Sequence, residues 1–426
     1  MERALKCIRC GKEYSIYEKR YTCECGGLLD VYIKEEGDLS YLKDVWEKRK
    51  GSRKRIDESG VWRYREPVLD LKEEEIVTFP EGRTNLYNVS DRIEGVSNLF
   101  IKHEGENPTG SFKDRGMTVG VSFAKKLGYR IVACASTGNT SASMTAYAKM
   151  GGLIPIVFLP KGKITFGKLS QALSYGAKTI QIEGDFDDAM RIVREISKKY
   201  RIYLLNSLNP VRLEGQKTII IDALFQMNWK IPDWIIVPGG NLGNTSAFGK
   251  ALMELKRFKV IDKIPKIGVI QAKGANPFYL SFKNNWRFKP VKAETIATAI
   301  RIGNPVNFEK AKRTIEFTKG FVEEVEDEEI IRAKIIIDSL GIGCEPASAS
   351  SLAGFFKMLK KGIIKKNETV LLITTGNILK DPDTSTKIHM GEIKGIPDEL
   401  INKPIVVEND LGRIQEIIEE ILEEYS

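Results

Sequence analysis

The sequence predicts an α/β fold, open and doubly wound, preceded by a small cysteine-rich module. Short apolar strands alternate with helical stretches from about residue 98 to 375, and four cysteines cluster in the first 34 residues. Continuous apolar strands between amphipathic helices indicate parallel sheets covered on both faces. The chain has 426 residues, more than one compact core usually holds, so we expect two or more lobes.

Composition is that of an ordinary globular protein, with 42% hydrophobic and 29% charged residues. No apolar run approaches the ~18 residues needed to cross a bilayer, and the N-terminus is too polar for a secretory signal peptide. We therefore expect a cytoplasmic protein with no membrane partner. Only two histidines are present, which argues against a His-centred triad or a polyhistidine metal site. The abundance of Lys, Glu and Ile is typical of a thermophile's surface.

The first module, residues 1–34, carries two cysteine pairs. Cys7 and Cys10 form CxxC, and Cys23 and Cys25 form CxC. A zinc ribbon presents four thiolates in this way, each pair at a tight turn, and in a cytosolic chain metal is more common than disulfides. Four protein ligands leave no open coordination position, so zinc here is expected to stabilise the fold. Because the second pair is one residue shorter than usual, a ribbon without metal remains the alternative.

A basic run, KRKGSRKR at residues 48–55, contributes to the net charge of 66 − 57 = +9. Such a run can bind nucleic acid. No aromatic residues interleave with the charges, as a stacking surface for bases needs. A solvated linker is therefore favoured, and no nucleic-acid partner is expected, since that function would leave the motifs below unexplained.

The α/β region contains seven β-rich apolar runs. In chain order they are IVACA (131–135), IPIVFLP (154–160), TIQIEG (179–184), YLLNSL (203–208), DWIIVP (233–238), KIGVIQA (266–272) and TVLLITT (369–375). Most precede a stretch with helical period, such as residues 214–229. In open sheets of this kind, ligands bind beyond the carboxyl ends of the strands.

A glycine-rich loop, PGGNLGNTSAFGK at residues 238–250, follows one strand and opens a helix. Gly239, Gly240 and Gly243 let backbone N–H groups turn inward, and the helix N-terminus adds its positive dipole end. The loop lacks the GK[ST] of a triphosphate site and the later acidic residue of a dinucleotide fold. It suits the phosphate of a small cofactor; a tight strand-to-helix turn is the alternative.

A second polar loop, ASTGNTSAS at residues 135–143, also joins a strand to a helix. Its hydroxyls and amide lie beside the free N–H groups of a helix start. Helix capping explains one or two such side chains. Because the loop holds more than that, we expect a site for a carboxylate or a phenolate.

Lys113 lies in NPTGSFKDRG, residues 107–116. The stretch nearly fits a phosphate loop, but the lysine comes two residues too late after Gly110. A surface lysine would not need the preceding Pro, Thr, Gly and Ser. A lysine on a rigid turn near a phosphate cradle suits a Schiff base, and burial with cationic neighbours lowers a lysine's pKa. Together with the two loops, Lys113 indicates a pyridoxal phosphate site.

Four motifs, NPTGSFKDRG, ASTGNTSAS, PGGNLGN and TTGNILKDP, occur in this order along the chain. Their sequences and order resemble those of the fold-type II pyridoxal-phosphate enzymes. NSLNPVRLEGQKT (206–218) and TIATAIRIGNPV (295–306) are similar to threonine synthases in particular, and the archaeal branch of these also shares the cysteine ribbon. The resemblance covers about residues 80–385 and implies two doubly wound α/β lobes beside the ribbon module. The expected parts are the ribbon (1–34), a large lobe (35–108 and 205–426, with a C-terminal helix) and a small lobe (109–204).

The resemblance also implies residue roles. Lys113 forms the Schiff base and moves protons, Asn139 bonds the cofactor's phenolate oxygen, and Thr375, or alternatively Thr374, faces the pyridine nitrogen. The backbone that cradles the cofactor phosphate belongs to Gly240, Asn241, Leu242, Gly243 and Asn244. The residues for the substrate carboxylate are Ser136, Thr137 and Thr140. Those for the substrate phosphate are Asn206, Ser207 and Arg212, and an arginine suits bidentate phosphate binding.

The implied activity is conversion of O-phospho-L-homoserine and water to L-threonine and phosphate, by a homodimer whose lobes close on the substrate. A threonine dehydratase needs no substrate-phosphate site, so Arg212 argues against it. A phosphoserine-using cysteine or cysteate synthase stays open, because phosphoserine is only one methylene shorter than phosphohomoserine.

Overall fold

The computed structural model describes residues 1–93, 97–136, 138–161, 166–184 and 186–424. Two units are distinguished, Met1–Asp381 and Pro382–Ser426. None of the described helices is long and apolar enough to cross a membrane.

Thirteen strands lie in the described part of the larger unit. They are β1 (Arg3–Cys7), β2 (Glu13–Ser15), β3 (Leu29–Ile33), β4 (Leu86–Asn88), β5 (Leu99–His103), β6 (Ile131–Ala135), β7 (Ile154–Pro160), β8 (Lys178–Ile182), β9 (Ile202–Leu204), β10 (Trp234–Pro238), β11 (Lys266–Ala272), β12 (Phe321–Val325) and β13 (Val370–Thr374).

The larger unit also holds most of the helices. They are α1 (Leu42–Lys50), α2 (Arg55–Glu58), α3 (Arg65–Val68), α4 (Lys113–Lys126), α5 (Asn139–Met150), α6 (Phe166–Ser174), α7 (Phe186–Lys199), α8 (Pro210–Gln216), α9 (Thr218–Gln226), α10 (Gly243–Arg257), α11 (Pro277–Lys283), α12 (Phe308–Thr318), α13 (Asp327–Ser339) and α14 (Pro346–Lys360). The smaller unit contains α15 (Pro382–His389) and α16 (Leu411–Glu424).

These described strands form three sheets. One is antiparallel with order β2-β1-β3, one has order β12-β11-β10-β13-β5-β4, and one has order β8-β7-β6-β9. The four-stranded sheet is parallel throughout, and the six-stranded sheet is parallel except where β4 pairs with β5. Every residue of β10 and of β13 is buried, as expected for strands covered on both faces. The predicted open, doubly wound α/β class is confirmed.

The sequence pattern located several elements closely. β6, β7 and β11 have the predicted bounds. The helix predicted over residues 214–229 is instead two helices, α8 and α9, joined at Lys217. The first of these helices begins at Pro210, earlier than predicted, because Asn209 caps α8 by accepting the Val211 N–H at 2.9 Å. Pro210 occupies the first turn, where its missing N–H costs nothing.

Glycines let α4 and α8 approach each other closely. A Cβ added to Gly215 of α8 would lie 1.7 Å from the Arg115 carbonyl oxygen of α4. A Cβ on Gly120 of α4 would lie 3.2 Å from Cγ of Arg212 in α8. This packing fixes the start of α4, which carries Lys113, against the helix that carries Arg212.

Candidate active site

The predicted loops converge on a single cleft of about 2140 Å³. It is bordered by residues that follow the carboxyl ends of strands in both large sheets, where doubly wound folds bind ligands. Predicted site residues that line it are Lys113, Ser136, Asn139, Thr140, Asn206, Ser207, Arg212, Gly240, Asn241, Leu242, Gly243, Asn244 and Thr375. Thr137 lies outside the described residues.

Lys113 is the first residue of α4 and is half-buried in this cleft. The preceding Phe112 donates its backbone N–H to the Thr375 carbonyl oxygen at 2.9 Å, and Lys113 Nζ lies 4.1 Å from the centre of the Phe112 ring. Burial lowers the pKa of Lys113 to about 7; the positive charge of Arg212 adds to this, and Glu345 opposes it. At neutral pH a large fraction of this amine is therefore free to act as nucleophile or base.

Buried polar contacts fix the loop before Lys113. Asp114 accepts hydrogen bonds from the Thr109 N–H at 2.7 Å and from the Thr109 and Ser143 hydroxyls. Burial raises the pKa of Asp114 to about 6. Thr109 and Ser143 thereby tie the turn 107–112 to α5, so the backbone that presents Lys113 is held on both sides.

A fully buried ionic cluster supports the same turn from behind. Arg115 Nε lies 2.7 Å from Glu104 Oε2, and its Nη2 lies 2.9 Å from Asp222 Oδ2. Lys102 Nζ contacts the same Asp222 oxygen at 2.7 Å. Each buried charge is thus compensated, whereas removal of one partner would leave an unpaired buried ion. The cluster links α4 to β5 and α9.

The glycine loop after β10 has the geometry of an anion cradle. Leu242 adopts a left-handed conformation, φ 61° and ψ 18°, and is followed by the first turn of α10. A Cβ on Gly240 would lie 3.1 Å from Ile300 Cα, and one on Gly243 would lie 3.3 Å from Gln216 Oε1. Side chains at these positions would crowd the loop, so glycine keeps its N–H groups accessible at the helix N-terminus.

A single side chain joins this loop to the segment that carries Ser207. Asn307, at the start of α12, donates its amide N–H groups to the Ser207 carbonyl at 3.2 Å and to the Asn241 carbonyl at 3.3 Å. The Val306 N–H also reaches Asn241 Oδ1 at 3.2 Å. The two predicted phosphate loops are therefore held next to each other. The sequence did not predict a role for Asn307, because this residue lies one position beyond the motif TIATAIRIGNPV (295–306).

Arg212 is 1% exposed. Its Nη1 donates to the Leu205 carbonyl at 2.8 Å, whereas its Nε and Nη2 have no hydrogen-bond partner among the described residues. Burial lowers the pKa of Arg212 to about 10. A buried guanidinium with two free donors at a cleft wall is suited to a doubly charged oxyanion.

The side chains of Asn206 and Ser136 are hydrogen-bonded to nearby backbone. Asn206 pairs with the backbone of Ala135, accepting its N–H at 3.0 Å and donating to its carbonyl at 2.9 Å. Ser136 accepts the Gly138 N–H at 3.3 Å. Asn206 thus joins the end of β6 to the loop that contains Ser207, and its backbone is better placed than its amide oxygen to meet a ligand.

The two adjacent threonines at the end of β13 face opposite directions. Thr374 is fully buried and its hydroxyl bonds His103 Nδ1 at 2.8 Å. Thr375 lines the cleft, and its hydroxyl lies 3.0 Å from the Ser348 hydroxyl. Of the two alternatives left open by the sequence, Thr375 is the one with access to a ligand.

Glu345 was not predicted, yet it lies in the centre of the site. It precedes α14, is 5% exposed and lines the cleft. Asn139 Nδ2 donates to both of its carboxylate oxygens at 3.1 Å, and the Thr375 hydroxyl donates at 3.3 Å. Its sequence context, CEP before a helix, resembles ordinary helix capping and gives no signal of a site.

The four cysteines of the N-terminal module converge. Cys7 Sγ and Cys25 Sγ are 3.5 Å apart, as are Cys10 Sγ and Cys23 Sγ, and all four sulfurs lie within 4.8 Å of one another. Zinc–sulfur bonds of about 2.3 Å place tetrahedral thiolates about 3.8 Å apart, so the donor set fits zinc. A Cβ on Gly27 would lie 2.7 Å from Cys7 Sγ, so this turn requires glycine.

The residues that line the cleft fit pyridoxal phosphate. The cleft is lined by a lysine with a lowered pKa, a neutral glycine loop at a helix N-terminus and the hydroxyl of Thr375, which are groups that suit an aldehyde, a phosphate and a ring nitrogen. Asn244 Oδ1 and Thr245 Oγ1, in the first turn of α10, are buried with no hydrogen-bond partner among the described residues. Fold and site together define a pyridoxal-phosphate-dependent enzyme.

Comparisons with known proteins agree with this class and narrow it. The sequence profile of the family described as "Pyridoxal-phosphate dependent enzyme" matches residues 77–376. The chain is 49% identical to the threonine synthase of Methanocaldococcus jannaschii over 98% of its own length and 99% of the relative's. It is 38% identical to threonine synthase 2, chloroplastic, of Arabidopsis thaliana over 96% and 83% of the two chains. The chain belongs to the pyridoxal-phosphate-dependent enzyme family and, within it, to the threonine synthases.

The fold is also shared with a solved structure. Threonine synthase from Escherichia coli superposes with a TM-score of 0.71 over 98% of this chain and 99% of that one, at 17% sequence identity. At that identity the likeness concerns the fold alone.

Proposed function

We propose that the protein is a threonine synthase that converts O-phospho-L-homoserine and water to L-threonine and phosphate. The observation that carries the proposal is the pairing of Lys113 with the buried, partly unpaired Arg212 in one cleft. The first suits the cofactor aldehyde, and the second suits a phosphate leaving group. Near full-length similarity to proteins named threonine synthase supports the same conclusion.

Pyridoxal phosphate, when bound, supplies an electron sink that stabilises negative charge on substrate carbons next to the amine. The net reaction moves one hydrogen from Cβ to Cγ, replaces the Cγ–O bond, and places a hydroxyl from water on Cβ. The protein must therefore accept and return protons at neighbouring carbons. Lys113 is suited to this at neutral pH because its pKa is about 7.

The other cleft residues bind and orient. Arg212 offers Nε and Nη2 to the substrate phosphate and neutralises its charge as the Cγ–O bond breaks. We assign the hydroxyls of Ser136, which precedes α5, and of Thr140, in its first turn, to the substrate carboxylate. We assign the loop Gly240–Asn244 to the cofactor phosphate, and the side chains of Asn139 and Thr375 to the cofactor ring.

The proposal also covers the lobe boundaries, the metal of the N-terminal module, the oligomeric state and the cellular location. The large lobe comprises residues 35–108 and 205–426, and the small lobe comprises residues 109–204. This division is supported by the sheets, because the first two segments supply the six-stranded sheet and the third supplies the four-stranded sheet. The four cysteines hold structural zinc in a ribbon, supported by their mutual distances. The enzyme is a cytoplasmic homodimer, as the resemblance to its family implies.

The test is a product assay with purified protein and pyridoxal phosphate. O-phospho-L-homoserine should give threonine and phosphate in equal amounts. Formation of 2-oxobutyrate from threonine without phosphate release would falsify the proposal in favour of a dehydratase. Faster phosphate release from O-phosphoserine than from O-phosphohomoserine would overturn it in favour of a phosphoserine-using synthase.

A further inference from the structure

Glu345 is distinguished from the other acidic groups of the cleft by its burial. Three glutamates are among the described lining residues, Glu106, Glu195 and Glu345. The first two are exposed, whereas Glu345 is buried. A buried carboxylate is costly unless it is hydrogen-bonded or paired with charge, so its position requires an explanation.

The backbone around Glu345 is built to hold that carboxylate in place. The Glu345 N–H donates to the Gly376 carbonyl at 3.0 Å. A Cβ on Gly376 would lie 2.5 Å from both Cδ and Oε1 of Glu345. The carboxylate can therefore lie over the loop after β13 only because position 376 has no side chain.

The contacts of Glu345 join the two halves of the site. Asn139 begins α5, which follows a strand of the four-stranded sheet, and Thr375 follows a strand of the six-stranded sheet. Both donate hydrogen bonds to the Glu345 carboxylate. An ionised carboxylate only accepts hydrogen bonds, so it fixes which end of the Asn139 amide turns toward it.

Charged groups on other elements also act on this carboxylate. Burial raises the pKa of Glu345, while the Asn139 amide, the positive charges of Lys380 and Lys113, and the Thr375 hydroxyl oppose that rise. Lys113, Arg212 and Glu345 line the same cleft, and the charges of Arg212 and Glu345 shift the pKa of Lys113 in opposite directions. Glu345 thus counterbalances part of the positive charge in the cleft.

We propose that Glu345 is a positioning residue that orients Asn139 and Thr375 toward the cofactor ring and provides the counter-charge for Lys113. The inference rests on the proposed pyridoxal phosphate site but does not depend on the identity of the substrate. It predicts two separable functions of one side chain. The hydrogen-bond acceptor sets cofactor affinity, and the negative charge sets the protonation of Lys113.

The test measures cofactor binding by the purified apoenzyme, independently of turnover. Glu345→Ala should weaken pyridoxal phosphate binding about ten- to a hundredfold, the loss of a hydrogen bond to a charged group. Asn139→Ala should weaken it similarly. The double variant should bind more tightly than the product of the two single effects predicts, because both changes remove the contact between Glu345 and Asn139. Multiplying effects in the double variant would overturn the orienting function.

Glu345→Gln separates the charge from the acceptor. The glutamine oxygen still accepts from Asn139, so affinity should stay within about threefold of the original protein. The pH midpoint for reaction of Lys113 with pyridoxal phosphate should fall, because a charge that raises the pKa of Lys113 is gone. Glu195→Gln, an exposed glutamate of the same cleft, is the matched control and should change neither value. An unchanged midpoint in Glu345→Gln would contradict the counter-charge function.

The two proposals fail in different ways. If the cofactor binds and the Glu345 variants behave as expected but no threonine forms, the assigned reaction is wrong and the positioning function stands. If threonine forms normally and Glu345→Ala binds the cofactor as tightly as the original protein, the positioning function is wrong. Should Glu345→Ala not fold, Asn139→Ala still tests the loss of cofactor affinity, and Glu345→Gln still tests the counter-charge function through the pH midpoint.

Discussion

Lys113 should react with pyridoxal phosphate at far lower pH than an ordinary lysine. Only the neutral amine attacks an aldehyde, and the pKa of Lys113 is about 7 instead of 10.5. At pH 7 about half of the amine is neutral, compared with about 0.03% for an unperturbed lysine. The cleft therefore increases the reactive fraction about a thousandfold at that pH.

Stopped-flow absorbance measures this directly. Apoenzyme mixed with pyridoxal phosphate at a series of pH values from about 5 to 10 should show an initial rate that rises tenfold per pH unit and levels off near pH 7. Lys113→Ala should abolish the absorbance change that accompanies Schiff-base formation. Lys125→Ala, which removes an exposed lysine from the same helix, should leave the profile unchanged.

The neighbouring charge gives a second check on the same reasoning. Arg212 lowers the pKa of Lys113, so Arg212→Gln should move the midpoint upward. A rate that keeps rising to the ordinary lysine value in the unaltered protein would refute the claim that the cleft depresses this pKa. A midpoint that stays near 7 in Arg212→Gln would refute the contribution of Arg212.

Other predictions follow from single contacts. Arg212→Gln should also raise the KM for O-phosphohomoserine about ten- to a hundredfold while changing pyridoxal phosphate affinity much less, and equal loss of both would contradict a substrate-phosphate site. Asn307→Ala should weaken both cofactor binding and inhibition by inorganic phosphate, measured by titration. Replacing Cys10 and Cys25 by Ser should abolish bound zinc in a metal analysis and lower the Tm. Gly215→Ala should destabilise the fold by at least about 1–3 kcal/mol in denaturant titration, because its Cβ meets the Arg115 carbonyl.

The sequence predicted those strands and loops whose position is determined by a few consecutive residues. The bounds of β6, β7 and β11 follow from continuous apolar runs. Lys113 and the loop 238–244 stand out because glycine and proline shape a turn immediately before or around them. Such signals need only a few consecutive residues, so they survive without knowledge of the tertiary fold.

Glu345 and Asn307 were not accessible in this way. The bond from Asn139 to Glu345 spans 206 positions of sequence, and the bond from Asn307 to Ser207 spans 100. Each residue in isolation looks like part of a helix start. Their importance arises from which loops the sheets bring together, and Arg115 illustrates the same point through its buried contact with Asp222, 107 positions away.

The geometry of Asn307 implies that the two phosphate loops do not act independently. One side-chain amide donates to the Ser207 and Asn241 carbonyls at 3.2 and 3.3 Å, so both loops must keep their positions for both bonds to persist. If the 240–244 loop binds the cofactor phosphate as proposed, the bound phosphate would order that loop and, through Asn307, restrain the segment that carries Ser207. Cofactor binding should therefore prepare the segment beside Arg212 for the substrate phosphate, because the ordering cost is met before the substrate arrives.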